Sequence, residues 1–220
     1  MRIVSHAHRR WKSSPGSGYN IPIMPEYSET YISVDVETAG PHPGGYSLLA
    51  IGACTLDDPP ATFYVELQPE HDRITPEAQR VSGFTLDDLR TRGLPPAEAL
   101  RRFAAWLGQV APQGSRPIFT ALNAPFDWMF VNEAFHRHLG DNPFGHAALD
   151  IKALFMGLTG VAWRETGYAR MAGRYGRGSG LSHNALQDAL DQAALLRGIL
   201  AEIRSRNDEH LPGKQKRRNV

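Results

Sequence analysis

Cysteine is almost absent from this chain of 220 residues, in which Cys54 is the only one. A single thiol excludes an internal disulfide framework and a zinc cluster held by cysteines. Cys54 lies within the apolar run 48–56, which indicates an inert core residue. A chain that can build no internal disulfide suits a reducing compartment, so we expect a cytoplasmic protein.

Long apolar runs are missing as well. No window approaches the roughly 20 residues of a membrane-spanning helix, and the basic start of the chain is not followed by the apolar segment of a signal peptide. The sequence also has no GK[ST] phosphate-binding loop and no G-x-S-x-G nucleophile elbow. These absences argue against a membrane partner, P-loop chemistry and serine hydrolase chemistry.

The rest of the composition is that of an ordinary globular domain, with 41% hydrophobic and 21% charged residues. The length suits one domain with a full core. We predict a flexible N-terminal extension at 1–26, a folded domain at 27–205 and a basic C-terminal tail at 206–220.

The net charge of +1 hides an asymmetry along the chain. Residues 1–13 carry four basic and no acidic side chains, and residues 204–220 carry six basic and two acidic ones. The segment between them carries 14 basic and 21 acidic side chains, a net charge of −7. Two interpretations stay open for the basic ends: arms that contact nucleic acid, and solvated tails.

Five short strands are predicted from β-branched and aromatic runs between turn-forming residues. They lie at 31–36, 48–56, 62–67, 117–121 and near 147–149. The first three follow one another closely and suggest an antiparallel meander.

Helices are predicted between and after the later strands. Thr75 and Pro76 mark the start of the first helix, and Thr85 caps the second. Further patterns predict helices at 96–110, 125–139, 151–158 and 184–205. Strands followed by helices that alternate with strands indicate an α/β domain with a mixed sheet. The glycine-rich segment 173–180 is predicted to be a flexible loop.

Two carboxylates stand in the first predicted strand, within the stretch YISVDVETAG. Asp35 and Glu37 are two positions apart, so they point to the same face of an extended chain. Their neighbours Val34 and Val36 are typical of a buried strand, and a buried carboxylate needs a partner such as a divalent cation. This stretch alone leaves two interpretations open, a metal site and a solvent-facing strand edge.

Two further stretches carry polar residues that admit a structural or a chemical role. Asn123 and Asp127 stand at a predicted helix start, where capping and compensation of the helix dipole would explain both. His183 and Asp188 are five residues apart, which is about 140° in a regular helix. They converge only if His183 lies on the loop before the helix; otherwise they are two surface side chains.

Taken together, the motifs are more specific than any one of them. Asp35, Glu37, Asp127, His183 and Asp188, in this order, resemble the active-site residues of the DEDDh family of 3′→5′ exonucleases. This family includes ribonuclease T, oligoribonuclease and the proofreading subunit of the replicative bacterial DNA polymerase. The stretches DVETAG, NAPFD and HNALQDA resemble its three motifs, and VSGFTLDDL resembles the segment after its third strand. The resemblance covers residues 31–203 and implies a ribonuclease H-like fold, a five-stranded mixed sheet flanked by helices.

The resemblance also implies a chemistry. Two Mg²⁺ or Mn²⁺ ions would be held by carboxylate oxygens, the ligands that these hard cations prefer. Asp35 would contact both ions, Glu37 and Asp188 would share one with it, and Asp127 would hold the other, mainly through water. His183 would be the general base that takes a proton from the attacking water.

Weaker candidates for substrate contacts are Thr38, Asn123, Phe126, Phe84 and Arg174. The two phenylalanines could stack on bases or pack in the core. Arg174 flanks the glycine-rich segment and could hold a phosphate or be solvated.

The expected function is metal-dependent 3′→5′ exonuclease activity on single-stranded nucleic acid with a free 3′ end, releasing nucleoside monophosphates. RNA is placed slightly ahead of DNA. The alternatives are a proofreading or repair deoxyribonuclease and a non-catalytic nucleic-acid-binding module on the same fold. A homodimer is left open as an assembly.

Overall fold

The computed structural model describes residues 29–175 and 182–210. The predicted extension at 1–26, residues 211–220 of the predicted tail and residues 176–180 of the predicted loop lie outside the described residues.

One five-stranded mixed sheet is the frame of the domain. Its strands are β1 Glu29–Thr38, β2 Leu48–Thr55, β3 Thr62–Glu66, β4 Arg116–Ala121 and β5 Ala148–Asp150. Their order across the sheet is β3-β2-β1-β4-β5. The first three strands pair antiparallel, and β1, β4 and β5 run parallel. The predicted meander and the five-stranded mixed sheet are therefore confirmed.

Seven helices are described around this sheet, together with a short 3₁₀ turn at Trp163–Glu165. They are α1 Pro76–Ser82, α2 Leu86–Arg92, α3 Pro96–Val110, α4 Ala124–Leu139, α5 Ile151–Thr159, α6 Tyr168–Tyr175 and α7 Ala185–His210. Thr75 and Thr85 cap the first two through their side chains, as predicted. No helix in the described ranges is both long and apolar enough to cross a bilayer.

Two helical boundaries differ from the sequence-based expectation. Helix α6 was not predicted, and its last turn includes residues 173–175 of the segment predicted as a loop. It forms because Met171 and Ala172 are buried against α7 in a shared apolar cluster. Helix α7 continues beyond residue 205, and there the Arg206 side chain donates to Glu202 one turn earlier.

Strand β1 separates an apolar face from a polar one. Ile32, Val34 and Val36 are buried in the main core cluster, which also holds residues of α3 and α4. The alternate residues Asp35 and Glu37 point to the other face because successive side chains alternate along a strand. The polar face of β1 is the one that α7 packs against, since a side chain of α7 contacts Asp35.

Gly52 in β2 lets α7 approach the sheet closely. It pairs with Asp35 of β1 across the antiparallel ladder. A Cβ atom at this position would lie 2.1 Å from the carbonyl carbon of Ala185 and 2.3 Å from the backbone nitrogen of Leu186. Only a glycine leaves room for the first turn of α7 here, directly beside the strand that carries the two acidic residues.

We predict that Gly52→Ala destabilises the domain and displaces the start of α7. The added methyl group meets backbone, which cannot rotate away, so we expect a loss of at least ~1–3 kcal/mol in the free energy of unfolding, measured by urea denaturation. Gly108→Ala in α3 is the matched control. Its Cβ would meet nothing within 4 Å, and we expect a gain of up to about 1 kcal/mol. Equal stability of the two variants would contradict this account.

Candidate active site

A cavity of about 510 Å³ opens at the edge of the sheet where β1 and β4 end. Parallel strands bring their carboxyl ends to one edge, a common position for active sites. All five predicted catalytic residues line this cavity: Asp35, Glu37, Asp127, His183 and Asp188. Three of the weaker candidates, Thr38, Asn123 and Phe126, line it as well.

Glu37 is a carboxylate without a donor. Its side chain is buried, and it makes no hydrogen bond with any residue in the described ranges. The ladder between β1 and β2 is irregular at Glu37 and Thr38, where the register shifts. Thr38 instead uses its hydroxyl locally and donates to the Gly40 carbonyl oxygen at 2.9 Å.

Asp127 lies in the first turn of α4, at the positive end of the helix dipole. Its Oδ1 accepts a hydrogen bond of 3.1 Å from the backbone nitrogen of Val36, which ties α4 to β1 between the two acidic strand residues. The expected side-chain cap by Asn123 is wrong. Asn123 has a left-handed backbone with a φ of 68° and makes no capping hydrogen bond, because an N-cap side chain reaches the helix from an extended backbone.

His183 and Asp188 do converge, because His183 lies on the loop before α7 as the sequence analysis required. The Asp188 carboxylate accepts from the backbone nitrogen and hydroxyl of Ser182, at 2.6 and 2.9 Å. It also accepts from the backbone nitrogen of His183 at 3.0 Å. His183 has a φ of 57°, an uncommon left-handed conformation for a residue with a side chain. Asp188 thus holds the loop that carries His183.

Gln192 completes the contacts of Asp35 and was missed by the sequence analysis. Its Nε2 donates to Oδ1 of Asp35 at 2.6 Å, and its Oε1 accepts from the backbone nitrogen of Leu122 at 2.8 Å. It stands one helical turn after Asp188 on α7, so the two lie on the same face of the helix. That spacing was the available signal.

Burial and repulsion from neighbouring carboxylates raise the pKa values of Asp35, Glu37 and Asp127. The pKa of Asp35 is well above its ordinary value, first because burial penalises the charged form and then because of the carboxylates of Asp127, Asp188 and Glu37. The hydrogen bond from Gln192 opposes this shift.

The pKa values of Glu37 and Asp127 are raised for similar reasons. Burial, followed by the Asp188 carboxylate, raises the pKa of Glu37 to about 7. Burial also raises the pKa of Asp127, with smaller contributions from the carboxylates of Glu37 and Asp150, while the Val36 N–H opposes the shift. Each is a buried carboxyl group whose charged form has no positive partner among the residues that the structure describes.

The donor set fits hard divalent cations. The four acidic residues offer oxygen ligands only, and no Lys or Arg in the described ranges forms an ion pair with any of them. In this structure, no three His, Cys, Asp or Glu side chains among the described residues lie close enough together to hold one metal ion. The carboxylates of Asp127 and Asp188 point instead to backbone N–H groups.

Helix α1 and its cap form part of the cavity wall, which was not predicted from the sequence. It has no buried residue, and Thr75, Glu77, Ala78 and Val81 line the cavity. Val81 is 39% exposed. An exposed apolar side chain inside a cavity is typical of a ligand-binding wall.

The structure does not bring the remaining two candidates to this cavity. Phe84 packs on the small cluster of Ala39, Leu49 and Leu89, with the Arg92 guanidinium 5.5 Å from its ring. Arg174 donates to the Glu202 carboxylate at 3.0 and 2.6 Å and lines a different cavity. Its charge is already paired with Glu202, away from the cavity that the four acidic residues and His183 line.

Comparison with known proteins agrees with this geometry. An exonuclease family model matches residues 32–196. The 3′-5′ DNA exonuclease Cap18 of Escherichia coli is 43% identical over 171 residues, which are 78% of this chain and 91% of that protein. The chain belongs to the DEDDh family of 3′→5′ exonucleases. A ribonuclease T of Vibrio campbellii is 32% identical to this exonuclease over 183 residues, 77% of this chain and 84% of the relative.

Solved structures support the fold of this exonuclease. The nuclease domain of 3′hExo, a DEDDh family member bound to rAMP, aligns with a TM-score of 0.68 at 17% identity, over 80% of this chain and 94% of that one. Escherichia coli exonuclease I in complex with a dT13 oligonucleotide aligns with a TM-score of 0.62 at 19% identity. That alignment covers 83% of this chain but 43% of the larger protein.

The raised pKa values predict a pH-dependent stability without metal. A carboxyl whose pKa is raised by folding binds more protons in the folded state, so its contribution to stability is lost as pH rises. For Glu37 the interval runs from about 4.3 in the unfolded chain to about 7 in the folded one. In EDTA, Glu37→Gln should therefore reduce the fall in Tm between about pH 5 and about pH 8.

The exposed Glu77, at the rim of the same cavity, provides the control. Glu77→Gln should leave the dependence of Tm on pH unchanged. A slope that is the same in Glu37→Gln and in the parent protein would contradict the assignment of a buried, repelled carboxylate to Glu37.

Proposed function

We propose that this exonuclease depends on Mg²⁺ or Mn²⁺ and removes nucleotides one at a time from the 3′ end of single-stranded nucleic acid, releasing nucleoside monophosphates. The observation that carries the proposal is one cavity that four acidic residues and His183 line together. A non-catalytic binding module would not need all five.

The acidic residues of the cavity are the proposed cation ligands. We propose that Asp35 contacts both ions, that Glu37 and Asp188 share one with it, and that Asp127 holds the other. When bound, the cations would make the attacking water acidic and stabilise the charge on the leaving oxygen. The raised pKa values of Asp35, Glu37 and Asp127 support this assignment, because a neighbouring positive charge stabilises a carboxylate whose charged form is penalised by burial.

His183 is the proposed general base. Its side chain is exposed at the cavity, while its backbone nitrogen is held by the Asp188 carboxylate. A histidine takes a proton readily near neutral pH. The loop would thus present an imidazole to the water that the acidic residues orient.

The wall made by α1 and the start of α4 is the proposed site of the terminal nucleotide. Val81 and Phe126 supply apolar surface for a base, and Thr38 and Asn123 supply polar groups near the acidic end. A cavity of about 510 Å³ is within the usual range for a small-molecule ligand. The exposed fraction of Val81 is consistent with this role because nothing else in the described fold covers it.

The proposed substrate can be RNA or DNA. The sequence favours RNA slightly over DNA, and that preference stays a prediction. The relative with 43% identity is a DNA exonuclease, whereas the ribonuclease T relative shares 32%. We therefore propose single-stranded DNA as the first substrate to examine. The homodimer and the cytoplasmic location also stay predictions.

We expect a ladder that shortens from the 3′ end when 5′-labelled single strands are incubated with the protein and Mg²⁺ or Mn²⁺. DNA and RNA of the same sequence, each with a free or a blocked 3′ end, are compared with circular single strands.

EDTA and Asp35→Asn should both abolish hydrolysis. Cutting of circles at a comparable rate would indicate an endonuclease, and full activity in EDTA would contradict the metal-dependent mechanism.

His183→Ala tests the role of the base separately from the cations. We expect kcat to fall by roughly 10²- to 10⁴-fold, the usual contribution of a positioned general base. The increase in Tm produced by Mn²⁺ should survive, because His183 is not a proposed ligand. Loss of that increase would make His183 a ligand, and near-full turnover would show that no base is needed.

A further inference from the structure

Gln192 is a buried amide between two parts of the active site. Its side chain is 1% exposed, and it links Asp35 of β1 to the backbone of Leu122, the residue after β4. A buried amide must satisfy both its donor and its acceptor, and Gln192 uses one for each partner. The Leu122 N–H can only donate, so Oε1 faces it and Nε2 faces Asp35.

Asp35 depends on this contact for its orientation. The amide of Gln192 is the only hydrogen-bond partner of the Asp35 side chain within the described ranges. It occupies Oδ1 and leaves Oδ2 without a donor from any described residue. A carboxylate held by one oxygen cannot rotate freely, so its other oxygen keeps a defined position in the cavity.

Other side chains do not replace this amide easily. An apolar residue of similar length would leave both the Leu122 N–H and the Asp35 carboxylate without a partner. Asparagine is one methylene shorter and cannot reach both at once. The position on α7 also matters, because Asp188 lies one turn earlier and contacts the loop of His183.

We infer that Gln192 is a positioning residue for the reaction: its amide fixes the carboxylate of Asp35 so that Oδ2 is presented to a divalent cation. The inference rests on the metal dependence proposed above. Gln192 itself contacts neither cation nor substrate in this scheme. It acts through Asp35, as hydrogen-bonding groups behind metal ligands commonly do.

The test is a Mn²⁺ titration of Tm, which needs no turnover, on the full chain and on Gln192→Met. We expect the Mn²⁺ concentration at the midpoint of the Tm increase to rise about 10- to 100-fold. The Mn²⁺ dependence of turnover should move in parallel. At saturating Mn²⁺ the KM for a single-stranded oligonucleotide should stay within about threefold of the parent value, because Gln192 does not line the cavity.

A control separates this role from packing alone. Ile199→Val removes a buried methylene from the same helix, in the apolar cluster that α7 shares with α5 and α6. It should lower Tm in EDTA without moving the Mn²⁺ midpoint. If Gln192→Met does not fold, Gln192→Asn keeps an amide of smaller size and is expected to show the same increase in midpoint.

The outcomes are distinguishable. If Mn²⁺ does not raise the Tm of the parent protein, the proposed metal site fails, whatever Gln192 does. If the parent responds and a folded Gln192 variant has a midpoint within about twofold of it, the inference alone is overturned. An equal change of midpoint in Ile199→Val would also overturn it, because the effect would then come from the packing of α7.

Discussion

The repulsion among four carboxylates in one partly buried cavity is the constraint on which the rest of this structure depends. Burial penalises their charged forms, and each neighbouring carboxylate adds to the penalty, as the raised pKa of Asp35 shows. Like charges remain together only if the surrounding elements hold them there. In the described part of the chain, the carboxylates accept hydrogen bonds from neutral donors, such as backbone N–H groups and the Gln192 amide. No Lys or Arg in these ranges forms an ion pair with them.

This choice of partners suits a site for cations. A lysine or arginine beside the carboxylates would stabilise them permanently and would compete with an incoming ion. Hydrogen bonds from neutral groups orient the oxygens without supplying a positive charge. The site therefore keeps an electrostatic demand that a divalent cation can meet, and the DEDDh family is a divalent-metal-dependent one.

Helix α7 positions three of the residues on which the site depends. His183 lies on the loop just before α7, and Asp188 and Gln192 lie within its first eight residues. Their side chains reach the cavity, that loop and β1, respectively. Its approach to the sheet depends on Gly52, where any side chain would strike the backbone of the first turn. A small change in how α7 lies on β2 would thus move three functional residues at once.

The sequence by itself determined the family, the five catalytic candidates, the five strands and the meander of the first three, because these depend on local patterns and on motifs that follow one another along the chain. It also located the capping residues Thr75 and Thr85, whose hydrogen bonds span three residues. Only the tertiary structure decided that Arg174 is paired with Glu202, that α1 forms a wall of the cavity, and that Gln192 holds Asp35. The reason is distance along the chain: Gln192 and Asp35 are 157 positions apart, and no local pattern records which distant side chains the packing of α7 on the sheet will bring into contact.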